Sequence, residues 1–445
     1  MHAPIGTLRE AAAPNDRRRD RLISLPYLLL RAATAAGAVA VGFVQTFVFA
    51  RVLTPEQFSV FIVVGAVGYT LWLAELGLPN ILFVNLRNAH LAGRRDQATA
   101  RQATAVIAFY AALAAAASCL CLVVMATRPA GEAFALAAFL LYIALNLPWT
   151  AMRSLSIAVD LFVYYESLEL LRRAVTIAGM LAILAGVPLT AFLIGVNALW
   201  LVLFAAAATP LAGRGALVPQ LRGAAPDLAA FFRTNRHSAA RSGTGALSSA
   251  FVALFPYYIV PAVFGLGAAP IILEVTFRIF RGSCVVFAAI CDIAVPGQTR
   301  ALAERDARRL IQATLAAAAL CCVPVVIIGA SLIFAGAPLF AFLLRTAAVV
   351  PTAITPILIV LLIASVVQIV AEVLLQYTGY FRSLAYNGLG VAAAMAVATA
   401  LAFAAGFSLV GFLAAYAAVY AAGAIALAVA AVRGPIQAAR TAASE

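Results

Sequence analysis

The sequence predicts an all-α polytopic membrane protein of about twelve transmembrane helices, divided six and six. Three observations carry that prediction. The residues Ala, Val, Ile, Leu, Met, Phe, Trp, Tyr and Cys fill 65% of the 445 positions and charged residues only 11%, with a mean hydropathy of +1.04. A soluble domain is about half apolar and a quarter charged. The apolar residues fall into runs of about 20, the length of helix that crosses a hydrocarbon core. The basic residues are asymmetric: apart from Arg51, Arg128 and Arg345 on one side and Arg31, Arg278 and Arg281 within runs, they lie in the tails and the loops of the other side. That bias places both termini in the cytoplasm.

Taken in order, residues 1–24 read as a disordered cytoplasmic tail carrying Arg9, Arg17, Arg18, Arg19 and Arg21. The run after it is too long for a signal-peptide core and lacks a small-residue cleavage site, so it is expected to stay as an anchor. The spans fall near 25–50, 58–84, 102–126, 133–152, 170–188 and 190–209, then 239–264, 270–294, 310–333, 348–376, 384–405 and 409–432. Residues 25–209 and 239–432 thus form two six-span halves, joined by a Pro-, Gly- and Arg-rich cytoplasmic linker at 210–238 and followed by a tail at 433–445. Six spans per half give both halves one orientation, as in transporters built from parallel repeats. Two short turns, Val52–Ile62 and Phe264–Ile272, can be laid over each other. The stretch Asp160–Arg173 (DLFVYYESLELLRR) reads as an amphipathic helix lying on the inner surface. All 30 basic residues are arginine, and Ala is abundant, a composition expected of a GC-rich bacterial genome and hence of a bacterial cytoplasmic membrane. The formal net charge of +13 reads as topology control at an anionic leaflet rather than nucleic-acid binding. Six cysteines lie inside apolar runs without His or carboxylate at metal spacing, and are expected to be small packing residues.

The eighth span breaks the apolar pattern. On a helix turning 100° per residue, Glu274, Arg278, Arg281 and Asp292 fall at about 0°, 40°, −20° and 0°, one stripe about 60° wide. An arginine near the bilayer centre costs about 2.5–3.5 kcal/mol on insertion scales, so the stripe must face water, protein or a charged ligand. Arg278 and Arg281 lie about 12 and 17 Å from the outer end of that span. Glu274 stands four residues before Arg278 and can neutralise it; Arg281 has no such local partner. Guanidinium groups fork onto phosphate, so Arg278 and Arg281 are candidates for binding a phosphate or pyrophosphate group. Arg31 either joins them or snorkels to the interface. Glu75 pairs with a cavity arginine, binds a coupling cation, or fixes a helix break, the structural role being favoured. Asp292 and Glu372 read as mostly interfacial. Tyr257, Tyr258 and Trp200 read as core or belt residues before sugar platforms. No catalytic triad, paired carboxylates or phosphate loop appears, and the three histidines lie outside the spans. No enzyme, cofactor or metal is expected.

The stretch Arg51–Arg101 resembles the polysaccharide-biosynthesis transporters of the MOP (multidrug/oligosaccharidyl-lipid/polysaccharide) exporter superfamily, the Wzx-type O-antigen flippases. ARVLTPEQFSVF (Ala50–Phe61) is similar to their R-x-L-G-P-E-x-[YF]-G-x-[FY], with Thr54 and Ser59 in place of the usual glycines. AELGLPNIL (Ala74–Leu82) resembles their D-L-G segment, with Glu75 for the commoner Asp, and the loop His90–Thr104 is also similar. The resemblance implies a V-shaped, MATE-like pair of six-helix bundles around a central cavity. It implies alternating access moving a polyprenyl-diphosphate-linked oligosaccharide to the outer leaflet, for O-antigen, capsule or exopolysaccharide. Coupling to H+ or Na+ would fall to Glu75, Glu274, Asp292 or Glu372, and whether a glycan polymerase or chain-length regulator works beside it is open. A MATE-type ion-coupled exporter and a polytopic glycan polymerase are the competing readings. The first would want unpaired cavity carboxylates, the second a sizeable outer loop.

Overall fold

The structure, a computed structural model, describes residues 25–438 apart from Leu76, Pro219, Leu221, Arg305 and Gly379. The expected tail 1–24, the last part of the expected tail 433–445, and Arg305 lie outside the described residues. All regular structure among the described residues is helical. Long runs of Leu, Ala, Val and Ile without an interior charge leave the chain no other way to satisfy its backbone polar groups in hydrocarbon. The first half comprises α1 (Leu25–Val52), α2 (Pro55–Thr70), α3 (Leu78–Leu91), α4 (Gln97–Val124), α5 (Ala130–Ala144), α6 (Asn146–Ala158), α7 (Phe162–Leu184) and α8 (Leu189–Gly213). The second comprises α9 (Ala224–Leu254), α10 (Pro256–Phe264), α11 (Ala268–Ala303), α12 (Ala307–Leu344), α13 (Ile354–Tyr377), α14 (Phe381–Ala404) and α15 (Leu409–Ala431), with a π-helical turn at Val432–Ile436.

These make twelve passes in two bundles, three passes being broken. The second is split into α2 and α3 by a 3-10 turn, Leu71–Glu75, followed by Gly77 at φ +69°, a conformation that a side chain would strain. The fourth is interrupted at Leu145, between α5 and α6. The seventh breaks where Pro256 opens α10, since proline has no N–H to continue the ladder of α9. Nine segments among the described residues are long and apolar enough to span by length and composition alone. The other three passes hold α7, α9 with α10, and α11, and two of them carry the buried charges. The stretch expected as linker, 210–238, is helical at both ends, because α8 runs to Gly213 and α9 starts at Ala224.

The expectation for Asp160–Arg173 is overturned. Asp160–Arg173 is not a helix on the membrane surface. Asp160 makes a turn at φ +59°, fixed to α3 by Arg87 at 2.6 Å and His90 at 3.1 Å. From that turn α7 runs straight into the bundle against α1 and α8, with Tyr165, Glu166, Glu169 and Arg172 all buried. The cysteines also divide: Cys291 and Cys321 are buried, Cys121 and Cys284 half-buried, and Cys119 and Cys322 exposed.

At the end where α1 meets α2, the halves are clasped together. Arg51 closes α1 and donates to the carbonyls of Phe342 and Leu343 at 2.6 and 3.1 Å, so it caps the open C-terminus of α12 in the other half. Its guanidinium also lies 3.4 Å from the Phe47 ring centroid. Thr54 caps α2 in a reciprocal box with Gln57. Ser59 donates to the carbonyl of Gly267 at 2.8 Å and accepts from its N–H at 2.9 Å. The two turns that can be overlaid in sequence therefore touch, and both Thr54 and Ser59, which stand where the resemblance leads one to expect glycine, are in use.

Candidate functional site

The seam between the halves includes α1 and α2 against α10, α11 and α12, and α4 against α9. α11 carries the charged stripe to it. Glu274 is nearly sealed, with 7% of its side chain exposed. One carboxylate oxygen accepts from Nε of Arg278, and the other lies 3.4 Å from Nη2 of Arg281. Arg281 therefore does have a local partner, contrary to the sequence expectation: seven residues bring Glu274 back to −20° on the same face, within reach of a long side chain two turns away. Arg281 also donates to the Tyr257 hydroxyl at 2.6 Å. Its guanidinium lies 5.0 Å from the Tyr257 ring and 5.6 Å from the Tyr69 ring of the other half, a cation–π arrangement. Arg278 reaches across the seam and donates to the carbonyl of Gly42 on α1. A Cβ at Gly42 would stand 3.0 Å from that guanidinium nitrogen, so glycine leaves room for the approach.

Glu274, Arg278, Arg281, Tyr257, Tyr69 and Gln45 are among the walls of a cavity of about 20 Å³. That volume holds about one water. One carboxylate serves two guanidiniums, so the cluster has a residual positive charge. Arg281 keeps 29% of its side chain exposed, and the guanidinium donors not used by Glu274, Tyr257 and the Phe277 carbonyl can meet an anion.

The other predicted residues are placed elsewhere. Arg31 pairs with Glu166 on α7 at 3.2 Å. Asp292 is exposed, within electrostatic reach of Arg31 and Arg153. Glu75 ends the 3-10 turn, its carbonyl accepting from the Tyr110 hydroxyl at 2.8 Å; the side chain is half-buried and makes no ion pair among the described residues. Glu372 on α13 is likewise half-buried without an ion pair among them. Trp200 is core, as expected. Tyr257 is more than core, since it braces Arg281.

Sequence reasoning missed a second charged network, on α7. Glu169 accepts from Trp149 Nε1 at 2.8 Å and from Arg172 Nε and Nη2 at 2.8 and 2.6 Å, and also pairs with Arg173. Arg172 stacks 4.5 Å from the Trp200 ring. The available signal was spacing: Glu166, Glu169, Arg173 and Thr176 fall at about 0°, −60°, −20° and −80° on one face.

Among solved structures, the fold is similar to the inward-facing conformation of a multidrug resistance MATE family transporter of the MOP superfamily. The TM-score is 0.64 at 13% identity, over 93% of this chain and 99% of that one. A MOP superfamily transporter from Pyrococcus furiosus, for which a reversed polarity of the binding pocket suggests a different function, matches with a TM-score of 0.60 at 14% identity, over 93% and 94% of the two chains. The lipid II flippase MurJ in an inward closed conformation matches with a TM-score of 0.59 at 14% identity, over 90% and 87%. No family model and no curated protein matches the sequence. The fold is that of the MATE and MOP transporters, two six-helix bundles facing each other across a central site.

Proposed function

We propose that the protein is a flippase that carries a polyprenyl-diphosphate-linked oligosaccharide across the bacterial cytoplasmic membrane for surface polysaccharide synthesis. The observation that carries this reading is the Glu274–Arg278–Arg281 cluster. It sits at the seam of two bundles, keeps a residual positive charge, and presents Arg281 to the cavity. A cationic seam suits a diphosphate and opposes an organic cation. The arginine-rich loops support cytoplasmic termini, hence loading of cargo from inside.

A cavity with room for about one water cannot hold such a cargo, so the halves must part for it. Arg278 links binding to that motion. Its bond to the Gly42 carbonyl joins the halves, and a phosphate that takes up this guanidinium removes the bond. A ligand shifts a conformational equilibrium only through different interactions with the two states, and Arg278 supplies such a difference. Tyr257 and Tyr69 brace the Arg281 guanidinium, leaving Nη1 for the anion. The prenyl chain stays in lipid throughout.

Arg281→Gln is expected to cut export by more than about tenfold with the protein still inserted, and Arg278→Gln to weaken it less. Export at the wild-type rate by a stably inserted Arg281→Gln variant would remove Arg281 from the mechanism. Deleting the gene and scoring the leaflet of lipid-linked oligosaccharides tests the cargo. Complete units held on the cytoplasmic side, with surface glycan lost, are expected; complete but unpolymerised units on the outer side would point to a later polymerising step.

A second reading, an ion-coupled small-molecule exporter, draws on Glu75 and Glu372. Both are half-buried in spans without an ion pair among the described residues, as carboxylates that take up H+ or Na+ would be. Unchanged glycans with altered drug sensitivity in the deletion strain would favour it.

A further inference from the structure

We propose that Trp72, with Tyr69 beside it, is a sugar platform on which the sugars nearest the lipid carrier stack while the cargo crosses the seam. This rests on the glycan-bearing cargo proposed above and gives its sugar end a place.

The chain has three tryptophans, and two of them are spent inside the first bundle. Trp149, 3% exposed, donates to Glu169, and Trp200, 1% exposed, donates to the carbonyl of Tyr142. Trp72 is 38% exposed, and its indole N–H has no acceptor among the described residues. The tyrosines divide in the same way. The hydroxyls of Tyr110, Tyr165, Tyr257 and Tyr416 are all hydrogen-bonded. That of Tyr69, also 38% exposed, has no partner among the described residues. Trp72 and Tyr69 each offer an open ring together with an unspent polar group.

Depth rules out the usual reason for an exposed aromatic residue. Belt tryptophans and tyrosines stand at the ends of spans, at the level of the headgroups. Trp72 stands in the middle of the second pass, seventeen residues after Pro55 and nineteen before Leu91, in the 3-10 turn that breaks it. Polar groups turned to hydrocarbon at that depth go unpaired, which is unfavourable. The row instead leads away from the seam. Tyr69 lines the cavity together with Glu274 and Arg281, its ring centroid 5.6 Å from the Arg281 guanidinium. The Trp72 ring meets the Tyr69 ring edge-on at 5.6 Å. Thr70, next to Tyr69 in the chain, shares a hydrogen bond with the Tyr258 hydroxyl of α10, so the second half reaches the row as well. Trp72 is not among the walls of the closed cavity, and its ring is exposed before the halves part.

The chemistry of the row selects its ligand. The face of an aromatic ring is negative and attracts C–H groups that carry partial positive charge. A sugar presents such C–H groups on its faces and hydroxyls around its rim, and the hydroxyls match the Trp72 N–H and the Tyr69 hydroxyl. A prenyl chain has nothing to give these polar groups. An organic cation would suit the rings but not the neighbouring guanidiniums, two of which share one carboxylate.

The test is tryptophan emission and calorimetric titration of the full-length protein in detergent with two probes. One is lipid-linked oligosaccharide extracted from the deletion strain; the other is farnesyl diphosphate, which carries no sugar. The oligosaccharide is expected to change the emission and farnesyl diphosphate to leave it as it was. The change should vanish in Trp72→Phe, because the remaining tryptophans are buried. Trp72→Ala should weaken binding of the oligosaccharide about tenfold and Tyr69→Phe about threefold, with farnesyl diphosphate bound as by the wild type. Trp72→Phe, which keeps a ring, should lose less than Trp72→Ala. Thermal unfolding of each variant shows that it is folded. Wild-type affinity for the oligosaccharide in Trp72→Ala, or equal weakening of both probes, overturns the platform and leaves the cargo reading standing. An emission change with tetraphenylphosphonium and none with the oligosaccharide overturns it in favour of an organic cation. A deletion strain that accumulates no lipid-linked oligosaccharide, or a wild type that binds neither probe, overturns both.

Discussion

Glu169 on α7 and Glu274 on α11 are built alike and placed differently. Each is a buried carboxylate holding two arginines from its own helix, Arg172 and Arg173 in one case and Arg278 and Arg281 in the other. Around Glu169 every further partner, Trp149 and Trp200, belongs to the same half. Around Glu274 the arginines reach beyond their half, Arg278 to the carbonyl of Gly42 and Arg281 to the ring of Tyr69. The first network is enclosed by one bundle and moves with it. The second lies between two bundles and changes whenever they separate. One chemical motif therefore gives rigidity in one place and a state-dependent contact in the other.

Glu169→Gln should do the most damage. Removing one partner of a buried pair costs about 3–5 kcal/mol, and Arg172 has 9% of its side chain exposed and no water to turn to. Folded protein recovered as a monodisperse peak should fall sharply. Recovery at the wild-type level would erase the distinction between the networks. Glu274→Gln should act the other way round. Its arginines keep Tyr257 and the Gly42 carbonyl, so the loss of stability should stay under about 2 kcal/mol while the export proposed above falls about tenfold. A variant that lost fold and export together would place Glu274 in the same class as Glu169. Asp96 sets the bottom of the scale. It caps α4 outside the spans, bonded to the N–H groups of Ala98 and Thr99 and to the Thr99 hydroxyl. The Thr99 hydroxyl, then the Thr99 N–H, hold its carboxyl below the usual range, against a smaller opposing effect of burial. A carboxyl depressed in the folded state stabilises above its unfolded pKa and loses that contribution as pH falls through the folded one. Asp96→Ala should cost about 1 kcal/mol at neutral pH, and in unfolding measurements its difference from wild type should shrink below about pH 4.

The charged stripe of α11 was legible in the sequence because its surroundings are wholly apolar and four charges at helical spacing stand out. Its ion pairing was only half legible. Glu274 to Arg278 is a one-turn pair, but the reach to Arg281 spans two turns and depends on Tyr257 bracing the guanidinium from α10. The network of α7 was hidden for the opposite reason. DLFVYYESLELLRR alternates charge and apolar residues so evenly that it imitates a surface helix, and only its continuation without a breaker to Leu184 shows it entering the bundle. The clasp at Ser59 was invisible, because its acceptor and donor are backbone atoms of Gly267, 208 residues away. Tertiary contacts to backbone leave no residue type to notice.

That clasp has a bearing on the surroundings in which the protein works. Its acceptors at Arg51 are the carbonyls of Phe342 and Leu343, and at Ser59 it uses the amide group of Gly267. None of these groups titrates or draws a counterion between acid and alkaline extremes. With the Arg51 guanidinium charged throughout, a latch of this kind does not open with pH, unlike a lock made of paired charges whose carboxylates take up protons.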